Sequence, residues 1–278
     1  FHFHNIYEKY RKTTYKAKSI WDEVDVITEK GTVELGELGL SKYFDFPKPL
    51  ALLRKAISIG SGSDAVILDF FSGSSTTAHA VMQLNAEDGG HRKFIMVQLP
   101  EPCDEKSEAY KSGYKNICEI GKERIRRAGE KIKEENPMTT QDLDVGFRVL
   151  KLDSTNMEDV YYSAQEYDQA MLQKMESNIK LDRTDLDLLF GCLLEWGLPL
   201  SMPYRSEQVE DCTVHTYNDG DLIACFDEHI PESVIREIAK RKPLRAVFRD
   251  SGFATSPEKI NVGEIFKLLA PDTRVKVI

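Results

Sequence analysis

The stretch that most constrains this chain is Ala65-Val66-Ile67-Leu68-Asp69-Phe70-Phe71, followed at once by Ser72-Gly73-Ser74-Ser75-Thr76-Thr77 and then by the helix-like run Ala78 to Leu84. A near-continuous apolar run of strand length is what a parallel strand covered on both faces requires. Small residues and then helical spacing make the order strand, tight loop, helix, the first half of a βαβ unit. Val66 to Phe70 is therefore expected to be a central strand. Such a loop lets main-chain amides approach a ligand closely, at the place where open α/β sheets bind ligands. It serves equally well as a plain tight turn, and spacing does not separate the two readings.

Two ligand classes are excluded by what surrounds the loop. No G-x-x-x-x-G-K-[ST] occurs, and no lysine follows the small residues to reach a β- or γ-phosphate. A dinucleotide fingerprint is also absent, since Gly60 and Gly62 precede the strand instead of following it. S-adenosylmethionine, a sulfonium without phosphate, survives this elimination.

Around this unit, Pro47-Lys48-Pro49 with Leu50, Leu52, Leu53, Ala56 and Ile57 predicts a helix that opens on proline. Lys93 to Leu99 predicts a second parallel strand, stopped by Pro100 and Pro102, and Tyr114 to Glu135 a long charged helix. Asn136 to Thr140 reads as a linker. Beyond it, Phe147 to Leu152, Leu222 to Phe226, Ala246 to Phe248 and Val275 to Ile278 read as strands. Helices are expected at Thr184 to Trp196, near Glu232 to Arg241 and near Asn261 to Leu269. The 278 residues, 41% apolar, leave room for two α/β domains.

Charge separates these regions. Residues 141–278 hold 16 Lys+Arg against 25 Asp+Glu, whereas residues 1–140 balance. An anionic surface has no counterion-release drive toward a polyanion, so the second half points to protein partners. Residues 1–20 carry Lys9, Arg11, Lys12, Lys16 and Lys18 with Tyr7, Tyr10 and Tyr15 between them. They could lie on a nucleic-acid backbone or form a solvated arm. Cys103, Cys118, Cys192, Cys212 and Cys225 lack C-x-x-C spacing, as expected of reduced structural thiols in a cytoplasmic protein. No run of apolar residues is long enough for a membrane span.

The loop itself carries a resemblance. Asp69-Phe70-Phe71-Ser72-Gly73-Ser74-Ser75-Thr76-Thr77-Ala78-His79-Ala80-Val81 resembles the cofactor motif of amino-methylating DNA methyltransferases whose catalytic motif precedes the cofactor motif. Within that group it is similar to modification subunits of type III restriction-modification systems. It departs from their pattern at Ser75, where the family usually has glycine, so that a Cβ is expected to project toward the ligand and weaken binding. Gly146 to Asp153, Leu222 to Phe226 and Phe248 to Phe253 are also similar to that family.

This resemblance implies a partial Rossmann-like S-adenosyl-L-methionine-dependent sheet followed by a second, smaller α/β domain. It implies an arm at 1–45, left from an upstream DNA-recognition region, cofactor binding at 46–140, and assembly at 141–278. The implied cofactor residues are Phe46, Lys48, Pro49, Asp69, Phe70, Phe71, Ser72, Gly73, Ser74, Ser75, Thr76, Thr77, Gln98 and Glu101. Gln98 stands where relatives usually have the Glu that meets the ribose, with Glu101 as a substitute. Implied partners are DNA, a restriction (helicase-nuclease) subunit and a second modification subunit in a homodimer, with no membrane.

Amine methylation in this family needs a [DNS]-P-P-[YFW] turn to polarise the flipped base, and no Pro-Pro pair exists in these residues. No catalytic residue is therefore assigned. The expectation is a C-terminal fragment that holds the cofactor but does not methylate alone, its strand at Val66 to Phe70 capped by another segment or paired across a dimer. Competing readings are an oxidoreductase and a non-catalytic assembly module with a vestigial loop. Asp227, Arg249 and Asp250 read as surface charges, with no metal ligands at matched spacing; His79 reads as a packed or capping residue.

Overall fold

The computed structural model describes residues 16–158, 179–253 and 256–278. Its contacts divide into two units, residues 1–147 and 148–278, later in the chain than the boundary read at 140. The cationic, tyrosine-rich start up to Tyr15 lies outside the described residues.

The first unit is built around one helix. α1 (Thr28–Glu37) and α2 (Leu50–Gly60) precede β1 (Val66–Asp69), and α3 (Thr76–Asp88), β2 (Lys93–Met96), the short α4 (Glu108–Lys111) and α5 (Ile117–Glu135) follow. β1 and β2 are parallel, with Ile67 opposite Phe94 and Leu68 opposite Ile95. α3 is buried almost from end to end because it is covered on two sides. Ala78 and Met82 pack on Leu35, Leu38 and Leu40 and on Ile125, Ala128 and Ile132 of α5. Ala80, Val81 and Leu84 pack on Ile57 of α2. Gly89, in a left-handed conformation (φ +68°), ends the helix at its C-cap. Asn116 starts α5 by accepting from the Glu119 amide.

Four expectations need correction here. β1 is not covered on both faces: Ile67 turns into the core, but Val66, Leu68, Phe70, Ile95, Val97 and Leu99 stand exposed on the other face. Period-2 alternation of side chains explains this: Val66, Leu68 and Phe70 fall on one face and Ile67 and Asp69 on the other, and apolar residues on both left either face free to be buried. Among the described residues no strand of this chain pairs with the outer edge of β1, so the expected capping by another segment is not met, and pairing across a dimer stays the remaining expectation. Phe147 to Leu152 is not a strand; Leu143, Val145 and Phe147 pack on the α3–α5 core, with Arg126 over the Phe147 ring. Finally, the segment up to residue 45 is not merely an arm: α1 supplies Leu35 to the core, fully buried.

The second unit is a five-stranded mixed sheet. After α6 (Asp185–Glu195) come β3 (Tyr204–Val209), β4 (Cys212–Tyr217), β5 (Leu222–Cys225), α7 (Glu232–Lys240), β6 (Arg245–Phe248), α8 (Ser256–Leu269) and β7 (Arg274–Val277). The sheet order is β3-β4-β5-β6-β7, antiparallel through β5 and parallel from β5 to β7. α7 and α8 cover one face through Val234, Ile238, Val262 and Phe266; α6 covers the other through Leu188, Leu189 and Leu193. α6 opens on a capping box between Thr184 and Asp187. The β3–β4 hairpin was not anticipated; its turn places Glu210 at φ +54° without glycine, which removes the usual turn signal. Cys192, Cys212 and Cys225 are buried thiols, and Cys103 and Cys118 are half-buried.

Candidate functional site

The sequence after β1 reverses direction on a small-residue loop, and hydrogen bonds fix how. Asp69 ends the strand with Oδ1 accepting from the Phe71 amide at 3.1 Å and Oδ2 from the Thr77 hydroxyl at 2.6 Å. One carboxylate thus ties the strand end to the first turn of α3. Gly73 takes a left-handed φ of +49° and donates its amide to Gln98 Oε1 at 2.8 Å. Parallel pairing continues past the strand ends, with Val97 N donating to Asp69 O and Ser72 N to Val97 O.

Beside this loop lies a cleft of about 160 Å³. Phe46, Lys48, Asp69, Phe71, Ser72, Gly73, Ser74, Thr76 and Thr77 line it, together with Phe44 and Leu53. Nine of the residues expected to hold a cofactor are therefore brought together, and Phe44 and Leu53 are additions that no loop motif marks. The rings of Phe46 and Phe71 are 79% and 86% exposed, so two flat apolar surfaces face water at the cleft. Phe46 also holds φ at +56°, a conformation rare for a bulky residue and common at ligand clamps.

The other expected residues lie elsewhere. Pro49 is the N-cap of α2, and Phe70 belongs to the open face of the β1–β2 pair. Gln98 does not line the cleft: its side-chain carbonyl is engaged by Gly73. Glu101 is exposed, and its main-chain carbonyl accepts from Ile117 N. Ser75 corrects the expectation that its Cβ would project toward the ligand. It is 96% buried, and its hydroxyl lies 2.6 Å from where a Cβ on Gly121 of α5 would stand. Ser75 has φ +62° and ψ +36° at the N-cap of α3, so glycine suits this position for its backbone conformation.

Behind the loop is a residue that no motif marked. Arg124 of α5 is completely buried, and its Nη1 donates to Ser74 Oγ at 2.8 Å and to Thr76 Oγ1 at 2.6 Å. Burial pushes its guanidinium down to about 10, with Glu34 acting in the opposite sense. His79 is buried in α3, and burial, then repulsion by Arg124, Lys131 and Arg54, pushes it down to about 3. The signal for Arg124 was its place on the apolar side of α5, one turn from both Ile120 and Ala128.

Two clusters in the second unit were also unanticipated. Cys212, Cys225 and Asp227 place their ligand-type atoms within 4.8 Å of one another. Each is already satisfied: Cys212 Sγ donates to His229 O, Cys225 Sγ to Asp227 Oδ2, and Asp227 Oδ2 accepts from Thr213 N. Ser206 Oγ lies 2.8 Å from His215 Nδ1, and Asp185 Oδ2 lies 3.4 Å from Nε2. That arrangement reverses the ring nitrogens of a hydrolase triad. Asp250 pairs with Lys259, and Arg249 with Glu228, as expected of surface charges.

The first unit is thus an α/β module with a cleft at the carboxyl end of a parallel strand, its walls made of aromatic rings, hydroxyls and main chain. Residues 2–130 match the family model of the DNA methylases. The chain is 47% identical over 128 residues to the Mod subunit of the type III restriction-modification enzyme StyLTI of Salmonella typhimurium, covering 46% of this chain and 19% of that protein. It is 40% identical over 153 residues to the EcoPI Mod subunit of Escherichia phage P1, covering 52% and 23%. It is 42% identical over 105 residues to the type II methyltransferase M.KpnI of Klebsiella pneumoniae, covering 38% and 25%. The resemblance read from the cofactor loop is upheld, and the match spans about a quarter or less of each relative's length. Among the described residues no helix is long and apolar enough to cross a membrane.

Proposed function

We propose that this chain is the cofactor-holding part of a site-specific adenine-N6 DNA methyltransferase, the modification subunit of a type III restriction-modification system. The observation that carries this reading is the cleft at Asp69–Thr77 with Phe46 and Lys48 beside it. Its walls fit S-adenosyl-L-methionine. Exposed rings suit a purine face, hydroxyls suit the polar amino-acid end, and no array of cations awaits a phosphate chain.

When bound, the cofactor would supply an activated methyl group on a sulfonium. The residues of this chain would hold and orient it. Phe46 and Phe71 would stack on flat parts and exclude water; Ser74, Thr76 and Thr77 would line the amino-acid end at the positive end of α3, with the Thr76 and Thr77 protons held by Lys48 O and Asp69 Oδ2. Asp69 and Gln98 would keep the loop in shape through Thr77 and Gly73. The sheet is read as part of a Rossmann-like methyltransferase sheet. The second unit, the acidic one, is read as an assembly domain contacting a restriction subunit and a second modification subunit. DNA would be engaged chiefly by regions other than those described.

Isothermal calorimetry with S-adenosylhomocysteine tests the reading: saturable binding to this chain, abolished by Gly73→Val, is expected, and a null titration would move the assignment to a non-catalytic assembly module. Because no Pro-Pro turn is present, tritium transfer to DNA by this chain alone is expected to stay at background. Methylation above background would refute that part.

A further inference from the structure

We infer that Arg124 and Glu34 are a positioning pair that fastens the Phe46–Pro49 segment to the Ser72–Thr77 loop, so that the two walls of the cleft are set together. The inference rests on the cofactor reading for its ligand, but its mechanical part does not.

The argument starts from donor bookkeeping. A guanidinium only donates, so both hydroxyls it meets must accept from it. The single proton of Thr76 is thereby directed away from Arg124, and it goes to the main-chain oxygen of Lys48 at 3.2 Å. Arg124 on α5 thus fixes, through one hydroxyl, the far wall of the cleft. Ser74 also accepts from Arg124 and lines the cleft, and its Oγ lies 3.4 Å from Thr76 Oγ1, so the two hydroxyls that Arg124 meets also meet each other.

Glu34 acts on the same segment from the other side. Its Oε2 accepts from the Leu50 amide at 2.6 Å, at the first residue of α2. α1 can come this close because Gly31 lies against the main chain of Pro47 and Lys48, where a Cβ would meet Pro47 O at 2.1 Å. Burial pushes the Glu34 carboxyl up, whereas the Leu50 amide and then Arg124 draw it down. Among the described residues Arg124 has no carboxylate within ion-pair distance, and its Nε and Nη2 have no hydrogen-bond partner. A buried cation left this far from neutral is costly unless its location is needed. The arrangement spends the charge on holding two loops instead of on an ion pair.

The test uses Arg124→Lys, Thr76→Val, Thr76→Ser and the double variant Arg124→Lys/Thr76→Val. In the unliganded chain, hydrogen exchange at the Leu50 amide reads the fastening directly. Arg124→Lys and Thr76→Val are each expected to speed it, by about tenfold for loss of one charge-assisted hydrogen bond. The double variant should be no faster than the faster single, and Thr76→Ser, which keeps the hydroxyl, should restore the slow exchange. Affinity for S-adenosylhomocysteine, read by calorimetry, should follow the same order. Additive effects on exchange, or Thr76→Val exchanging like the unaltered chain, would overturn the inference. If the unaltered chain binds no S-adenosylhomocysteine, the cofactor reading fails, while the exchange data still decide the fastening.

Discussion

His79 sits in the second turn of α3 with its ring in the interior and Nδ1 without a hydrogen-bond partner. Its folded-state value of about 3 lies below the unfolded 6.5, because burial and nearby cations oppose the charge. The unfolded chain therefore binds a proton that the folded chain refuses, and folding stability falls as pH drops from 6.5 toward 3. The slope for one such proton is about 1.4 kcal/mol per pH unit. Above pH 6.5 the group contributes no dependence. Urea midpoints at pH 7 and pH 5 should separate less for His79→Gln than for the unaltered chain, and equal separations would show that the ring is accessible. At the same scale, Ser75 shows how a local rule can be right for a different reason. Its position favours glycine because the backbone is left-handed, and the absent side chain of Gly121 makes room for the serine.

At the scale of elements, the strand–loop–helix order of the first unit was legible because each piece carries its own signal. β1 is bounded by Gly62 and Gly73, and α3 follows a run of small residues. What could not be read was which face of β1 is covered, since apolar residues stand on both faces of the run. α1 escaped because its apolar stripe is narrow, although Gly31, Leu35 and Leu38 already stand on one side of a helix. Arg124 escaped for another reason: in a charged helix one arginine looks like the next, and only α3 packed against it turns it inward. The exposed face of the β1–β2 pair has a measurable consequence. Leu68, 48% exposed, and Ile95, 51% exposed, stand side by side there. Replacing both by threonine keeps strand propensity and should lower the binding of a hydrophobic dye such as ANS without lowering the melting temperature. Unchanged dye binding would mean that the face is covered in solution.

At the scale of the whole chain, the two units have separate cores and are expected to unfold as separate cooperative bodies. Residues 148–278 enclose a five-stranded sheet with helices on both faces, and they hold their own start, since Arg148 donates to Leu200 O and Met202 O. Expressed alone, they are expected to unfold in one cooperative transition by circular dichroism, and a gradual loss of signal would contradict this. The side of β1 that no strand pairs with among the described residues bears on how this chain behaves in a tube. A row of amides and carbonyls with nothing opposite is indifferent to the side chains of whatever strand arrives, because main chain recognises main chain. Company found that way depends on how crowded the solution is, so the particle size of a preparation would track protein concentration more steeply than ionic strength.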